Sequence, residues 1–451
     1  MYEKFMLDEK SFQNVYDHGK ITGFQLGVRV THYHGIPLSL IGQFDLILDG
    51  VKYGIEDMTF SVKGKTYTIP QCWETIDVRW DFAEVAIIEI QKEGGLAPGR
   101  HEVDFTQTLY AYQFATVNNF KTTLTLQSPI KRGVTLYSYQ QEVYMGKLDL
   151  EGMIREVSKL DTDGVEILTE ACIPDFPNPS DYFVYRWFEF MEKYKTKPVC
   201  YDSSFDGKNY VSRANGKEEA LEKLKADIRL ARRLGFKQMR AQGPFELITA
   251  ALPYAQENGI NLGMEIHSPN VLDNEYTNRI IEYIQKTGTK SLSIIPDMGI
   301  FMKEPMRICY ERHLRRGATP ELVQYVCEAY KRQADRDQTI EEVRKMGGNE
   351  LDLFWANEAF TFTWCDPKLL TGLVPYISHI HGKFYEMTEY GEEYSIPYGE
   401  AIEALRAGNW AGYICSEYEG QRHFHDLRYF EVDSVEEVRK HHEMLKKYIG
   451  M

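Results

Sequence analysis

The sequence predicts an α/β chain in which a (β/α)8 TIM barrel follows an antiparallel β-sandwich-like domain. Two observations carry this: the hydrophobic period changes near Pro129, and ligand-type side chains stand at the ends of four successive apolar runs. A period of two marks strands that bury one face each, whereas apolar runs alternating with amphipathic helices mark parallel strands joined by crossovers. With 451 residues the chain exceeds one ordinary domain, of which a barrel takes about 250 or more. We place the boundary between residues 1–128 and 129–451.

From Gly23 to about Leu126 the apolar bursts are short and alternating: Gly23–Val30, Gln43–Leu48, Thr59–Val62, Val85–Ile90 and His101–Phe105. Asp49-Gly50 is placed for a tight hairpin, and Lys63-Gly64 is a second turn signal. This half reads as a sandwich or jelly-roll-like module. Its histidines, His32, His34 and His101, are isolated and read as surface or internally satisfied residues.

After Pro129, eight strand candidates follow: Gly133–Tyr139, Gly164–Leu168, Pro198–Tyr201, Phe236–Arg240, Leu262–Ile266, Leu292–Pro296, Tyr376–His381 and Gly412–Ser416. Helical stretches such as Leu148–Val157 and Ala220–Ala231 bring an apolar residue round every three to four positions. The segment from Glu304 to Thr371 reads as a helical insertion whose charged run, Lys331–Arg344, is a solvated face. A last helix over Val435–Ile449 closes the ring.

The net charge of -15 argues against nucleic acid or an anionic membrane as partner, since both recruit basic surfaces. The opening residues lack the apolar core of a signal peptide, and no window is apolar over the ~20 residues that span a bilayer, so a cytosolic chain is expected. Seven scattered cysteines without a Cys-x-x-Cys pair fit free thiols.

Glu265, Asp297, His381 and Glu417 stand at the ends of strand candidates five to eight. Strand ends of a barrel converge on one mouth, so these four can meet at one ion. One carboxylate at a strand end means little, because loops are rich in them. Four ligand-type residues at one level are a different matter, because unpaired carboxylates in a barrel mouth are costly unless a cation compensates them. Three carboxylates and an imidazole suit Mn²⁺ or Mg²⁺, and Zn²⁺ less well. His379, two residues before His381, points the same way and reads as a packed layer residue. His267, two beyond Glu265, suits a general acid or base, and Lys383 suits an oxyanion, with a loop histidine and an ion-pair lysine as the plainer readings. Arg240 and Arg422 are candidate hydroxyl or carbonyl donors, with ion pairing as the equal competitor. Tyr137, Tyr139 and Trp364 offer apolar faces to a sugar or an aromatic group, Tyr139 being the choice for substrate contact.

From about Lys131 onward this strand-end set resembles the xylose-isomerase-like TIM barrels, which are metal-dependent sugar isomerases, epimerases and lyases. More narrowly, Leu136–Glu142, Gly263–Pro269, Pro296–Phe301, His379–Tyr385 and Ser416–Gly420 resemble the α subunit of C-glycoside deglycosidases, and the N-terminal module resembles their β subunit. In that family the two are usually separate chains of a hetero-oligomer, so one chain carrying both is a departure.

The resemblance implies cleavage of a 3-oxo-glycoside supplied by a separate oxidoreductase, with Mn²⁺ favoured. His267 would remove the C2 proton, Lys383 would support the oxyanion, and Arg240 and Arg422 would orient the sugar. A homo-oligomer is expected. An isomerase or epimerase of a free keto sugar would use the same site, and a catalytically dead carbohydrate-binding protein is the alternative from another class.

Overall fold

The computed structural model describes residues 2–450 apart from 18–19, 112–113, 127, 206, 208–211 and 429. It divides into two compact units, Met1–Ser128 with Ile449–Met451, and Pro129–Tyr448.

The first unit holds a five-stranded antiparallel sheet, in the order Leu7–Asp17, Lys20–Arg29, Val85–Gln91, Met58–Val62, Lys65–Thr68. A four-stranded sheet orders Thr116–Leu126, Gly99–Leu109, Ile41–Leu48, Val51–Tyr53. Alternate residues of both sheets are buried, and their rings meet: Phe44 lies 5.7 Å from Phe60 and 5.7 Å from Phe105. Both hairpin signals form tight turns, with left-handed φ at Asp49 (51°) and Gly50 (81°) and at Lys63 (50°) and Gly64 (74°), as a two-residue loop of matching twist requires. The polar strand Leu7–Asp17 escapes the sequence reading because it is an edge strand with few apolar residues to mark its period.

In the second unit eight parallel strands form a nearly closed barrel: β1 (Ile130–Thr135), β2 (Gly164–Leu168), β3 (Lys197–Asp202), β4 (Gln238–Arg240), β5 (Asn261–Ile266), β6 (Leu292–Pro296), β7 (Ile380–Phe384) and β8 (Gly412–Tyr418). The parallel bridges Ile294 to Ile377 and Asp297 to His381 link β6 to the β7 segment. Every residue of β6 and β7 is buried, as in strands covered on both faces, so neither shows an alternation of apolar and solvated residues. Helices are fixed at their starts by side-chain caps, Asp149 to Gly152 N, Ser180 to Phe183 N and Asn274 to Thr277 N. Between β6 and β7 come five α-helices among the described residues, Arg307–Arg316, Pro320–Lys331, Arg336–Lys345, Glu350–Ala359 and the short Leu369–Leu373. The charged run is indeed a largely solvated face, with only Thr339 and Val343 buried in its helix.

Strand ends differ most from the sequence reading at β1 and β7: Leu136–Tyr139 is a 3₁₀ turn after β1 rather than strand, and β7 starts at Ile380 rather than Tyr376 and runs on to Phe384. Smaller shifts place Asp202 inside β3 and Glu417 inside β8, and start β4 at Gln238. Among the described residues no helix is long and apolar enough to cross a membrane.

Candidate active site

Parallel register places the ends of β5 to β8 at one level, with Asp297 bridged to His381 and Lys383 opposite Glu417. Glu265, Asp297, His381 and Glu417 thereby bring one donor atom each within 4.8 Å of one another. Gly263, two residues before Glu265, lets β5 pack closely on its neighbours: a Cβ there would stand 2.5 Å from Ile295 Cδ1 and 2.6 Å from Gln238 Nε2.

The imidazole of His381 is held from both sides. Its Nδ1 lies 2.8 Å from Glu265 Oε1 and 3.2 Å from Glu417 Oε2. Its Nε2 faces Glu166 Oε1 at 3.2 Å, and the other oxygen of Glu166 takes a 2.5 Å hydrogen bond from His379. A carboxylate behind a histidine in this way fixes which nitrogen faces the cluster. Asp297 is fully buried: Oδ1 accepts from Gly299 N at 2.7 Å, and Oδ2 has no hydrogen-bond partner. Glu417 Oε2 is likewise buried and unbonded. Lys383 lies 2.9 Å from Glu417, 3.3 Å from Asp297 and 3.4 Å from Glu419.

Burial raises the pKa of all three carboxylates, and their neighbours decide the outcome. Asp297 is pushed up to about 6, because Lys383 and His267 offset burial only in part. Lys383 and His381 overcome burial at Glu417 and bring it down to about 2, while His381 and Arg240 hold Glu265 below the usual carboxylate range. Burial opposes the charge of Lys383, yet Asp297, Glu417 and Glu419 keep it protonated.

This donor set fits a hard divalent cation. Three carboxylates and one imidazole converge, two carboxylate oxygens are buried without hydrogen bonds, and one ring nitrogen points inward with its partner nitrogen backed by Glu166. Cys309, His313 and Glu358 also gather, but Arg312 already binds Glu358 through hydrogen bonds of 2.7 and 2.8 Å.

The remaining predicted residues fall at different distances from the cluster. His267 is half-exposed above it, with Nδ1 2.9 Å from Ser268 O and Nε2 4.0 Å from Asp297 Oδ2. Partial burial works against its charge, but Asp297 outweighs this and raises its pKa. Arg240 is buried beside the cluster, with Nε 3.4 Å from Asp202 and 3.9 Å from Glu265. Arg422 is exposed at the rim, 3.3 Å from Glu419, with its guanidinium 5.4 Å from the centre of the Tyr137 ring. Tyr139 is not brought to the mouth: the 3₁₀ turn buries it completely, and Tyr137 instead donates to Glu419 at 2.7 Å.

Glu166, Asp202 and Glu419 were missed. The strand-end rule that found the other four, applied to β3, points to Asp202, and Glu419 stands two residues beyond Glu417, whereas Glu166 lies in the middle of β2, where that rule does not reach.

Residues 2–112 match the family model described as C-glycoside deglycosidase beta subunit. The C-glycoside deglycosidase beta subunit of Eubacterium cellulosolvens is 31% identical over 104 residues, 23% of this chain and 71% of that protein. The 3'-dehydrocarminate deglycosidase alpha subunit of a Microbacterium species is 26% identical over 339 residues, 70% of this chain and 95% of that protein. A solved D-psicose 3-epimerase is 13% identical, covering 71% of this chain and 99% of its own, with a TM-score of 0.42. The chain belongs to the C-glycoside deglycosidase family, carrying a β-subunit sequence at its N-terminus and a sequence similar to α subunits behind it.

Proposed function

We propose that this chain is a divalent-metal-dependent lyase that cleaves the C-glycosidic bond of 3-oxo-glycosides, with residues 129–451 as the catalytic part and 1–128 as the β-subunit-like module. The supporting observation is the convergence of four donor groups beneath a histidine and a lysine, in a chain of this family. Glu265, Asp297, His381 and Glu417 are assigned to the metal, with Mn²⁺ preferred. When bound, such an ion supplies Lewis-acid stabilisation of negative charge on the sugar's C3 oxygen.

The protein's own groups account for the proton movements. A ketone at C3 acidifies the C2 proton, and His267 is the base. Its Nδ1 faces a backbone carbonyl and so carries the hydrogen, which leaves the lone pair on Nε2 at the mouth. The C2–H electrons form the C1=C2 bond, the bond from C1 to the aglycone breaks, and the aglycone carbon takes up a proton. Lys383 is buried among three carboxylates and offers a fixed positive charge beside the developing oxyanion. Arg240 and Arg422 orient the sugar, Arg240 from beneath and Arg422 from the rim.

The elimination neither oxidises nor reduces its substrate, so the 3-oxo group is assigned to a separate oxidoreductase. In this reading one cytosolic chain carries the counterparts of both subunits and assembles as a homo-oligomer.

The test is chromatography of an aromatic 3-oxo-C-glycoside incubated with metal-stripped protein before and after adding Mn²⁺. Metal-dependent release of free aglycone is the expected result. An intact glycosidic bond with a C2 epimer or solvent deuterium at C2 would move the assignment to an epimerase or isomerase. Saturable binding without chemistry would leave a carbohydrate-binding protein.

A further inference from the structure

Lys383 has three carboxylates around one charge. Its ammonium lies 2.9 Å from Glu417, 3.3 Å from Asp297 and 3.4 Å from Glu419. Glu417 and Asp297 belong to the converging donor set, whereas Glu419 stands outside it, just past the end of β8. A further acid in a mouth already crowded with carboxylates is unfavourable unless a cation holds it.

Glu419 is fixed in place through both backbone and side chain. Its N–H donates to Phe384 O at 3.0 Å, which carries the β7–β8 pairing one residue beyond β8. Gly420 follows, and a Cβ there would stand 2.0 Å from Tyr385 O, so only glycine lets the chain pass this close to the continuation of β7. Glu419 Oε1 accepts the Tyr137 hydroxyl at 2.7 Å and Arg422 Nη1 at 3.3 Å. The Tyr137 ring faces both cations, its centre 6.0 Å from Lys383 Nζ and 5.4 Å from the Arg422 guanidinium, within reach of a cation–π attraction. Lysine, by contrast, is a flexible stem ending in three donors, so the acceptors around its tip set its position. Two of those acceptors are assigned to the metal. Glu419 is the one that serves Lys383 alone.

We propose that Glu419, held by Tyr137, is the positioning residue that fixes Lys383 in the mouth. Its kinetic consequence rests on the lyase reading, in which Lys383 faces the developing oxyanion. The contact itself does not.

A double-mutant cycle on the full chain tests both. In metal-stripped protein, Glu419→Gln is measured by melting temperature in the wild-type background and in Lys383→Met. With the lysine present the substitution removes an ion-pair partner; without it, the substitution removes an acid that no lysine holds. The two shifts should therefore differ by at least about 2 °C, with the wild-type background the more destabilised. A smaller difference, or one of the opposite sign, would overturn the assignment. With Mn²⁺ and an aromatic 3-oxo-C-glycoside, Glu419→Gln should lower kcat about thirtyfold while KM stays within about threefold. Tyr137→Phe should lower it severalfold, and the pair together no further than Glu419→Gln alone. In Lys383→Met, Glu419→Gln should cost nothing more. Losses that multiply, or a change confined to KM, would overturn the positioning role and leave the lyase reading standing. A wild type that releases no aglycone, with melting shifts that still diverge, would refute the lyase reading and keep the contact.

Discussion

Two buried polar residues of the N-terminal sandwich and four buried polar atoms of the barrel mouth meet opposite surroundings. In the N-terminal sandwich, Gln107 is fully buried with its amide satisfied: the oxygen accepts from Thr31 N and Thr31 Oγ1, and the nitrogen donates to Arg29 O. His101 is bonded at both ring nitrogens, to Asp49 and to Ala97 O. In the barrel mouth, Asp297 Oδ2, Glu417 Oε2, Gln140 Nε2 and Gln421 Oε1 are all buried without hydrogen bonds. Each such group costs about 1–3 kcal/mol. Asp297 Oδ2 and Glu417 Oε2 are offset by charge alone, from Lys383 Nζ at 3.3 Å and His381 Nδ1 at 3.2 Å, so the cost of this arrangement falls on the end of the barrel where the four donor groups meet.

The largest effect should come from removing one charge of the cluster. Glu265→Gln keeps the volume and takes away one oxyanion, and it is expected to lower aglycone release about 10³-fold or more, several kcal/mol at 1.36 kcal/mol per decade. Circular dichroism should be unchanged. Activity within tenfold of wild type would remove the mouth from the chemistry.

Phe60→Ala, in the sandwich, should do the reverse. Phe60 is fully buried against Phe44 and Trp80, at 5.7 and 5.1 Å between ring centres. Its truncation should cost about 3–5 kcal/mol of stability by denaturant titration. Turnover per folded molecule should stay near wild type. A comparable loss of turnover at unchanged stability would break the division between the units.

His267→Gln sharpens the comparison inside the mouth itself. The ring is half-exposed and only approaches the cluster, so its loss should lower kcat about 10²–10⁴-fold with Mn²⁺ affinity unchanged by calorimetry. Weakened metal binding would recast it as a ligand.

The same contrast decides what was legible in the sequence. Glu265, Asp297, His381 and Glu417 could be read because parallel strands put their ends at one level, a rule that needs no side-chain detail. Tyr139 was misplaced because Leu136–Tyr139 is apolar and aromatic enough to pass for strand, whereas the chain turns there in a 3₁₀ step and buries the wrong tyrosine for substrate contact. Glu166 was passed over as part of an apolar strand, and its role emerges only from its contacts with His379 and His381. Strand Leu7–Asp17 was lost for a different reason: an edge strand has little apolar face to show.

The smallest effect expected is on acid stability, and it should fall on the barrel. His441 and His442 are fully buried on the helix Ser434–Ile449. His441 stacks on Phe384 and meets Ser416 Oγ at 2.8 Å, and His442 Nδ1 lies 3.0 Å from the guanidinium of Arg132. Burial pushes His441 down to about 3 and, helped by Arg132, holds His442 well below the ordinary histidine value. A folded pKa below the unfolded value means that the unfolded chain binds more protons as pH falls past about 6.5, so stability drops with acid. Each ring should cost about 1.4 kcal/mol between pH 7.5 and pH 5.5. Denaturant titrations at the two pH values measure the loss, and His441→Leu should reduce it by one histidine's share. Because buried Glu393, pushed up to about 7, works in the opposite sense over this range, the difference between wild type and His441→Leu is the decisive quantity, and no difference would mean that the His441 ring reaches solvent before the barrel unfolds.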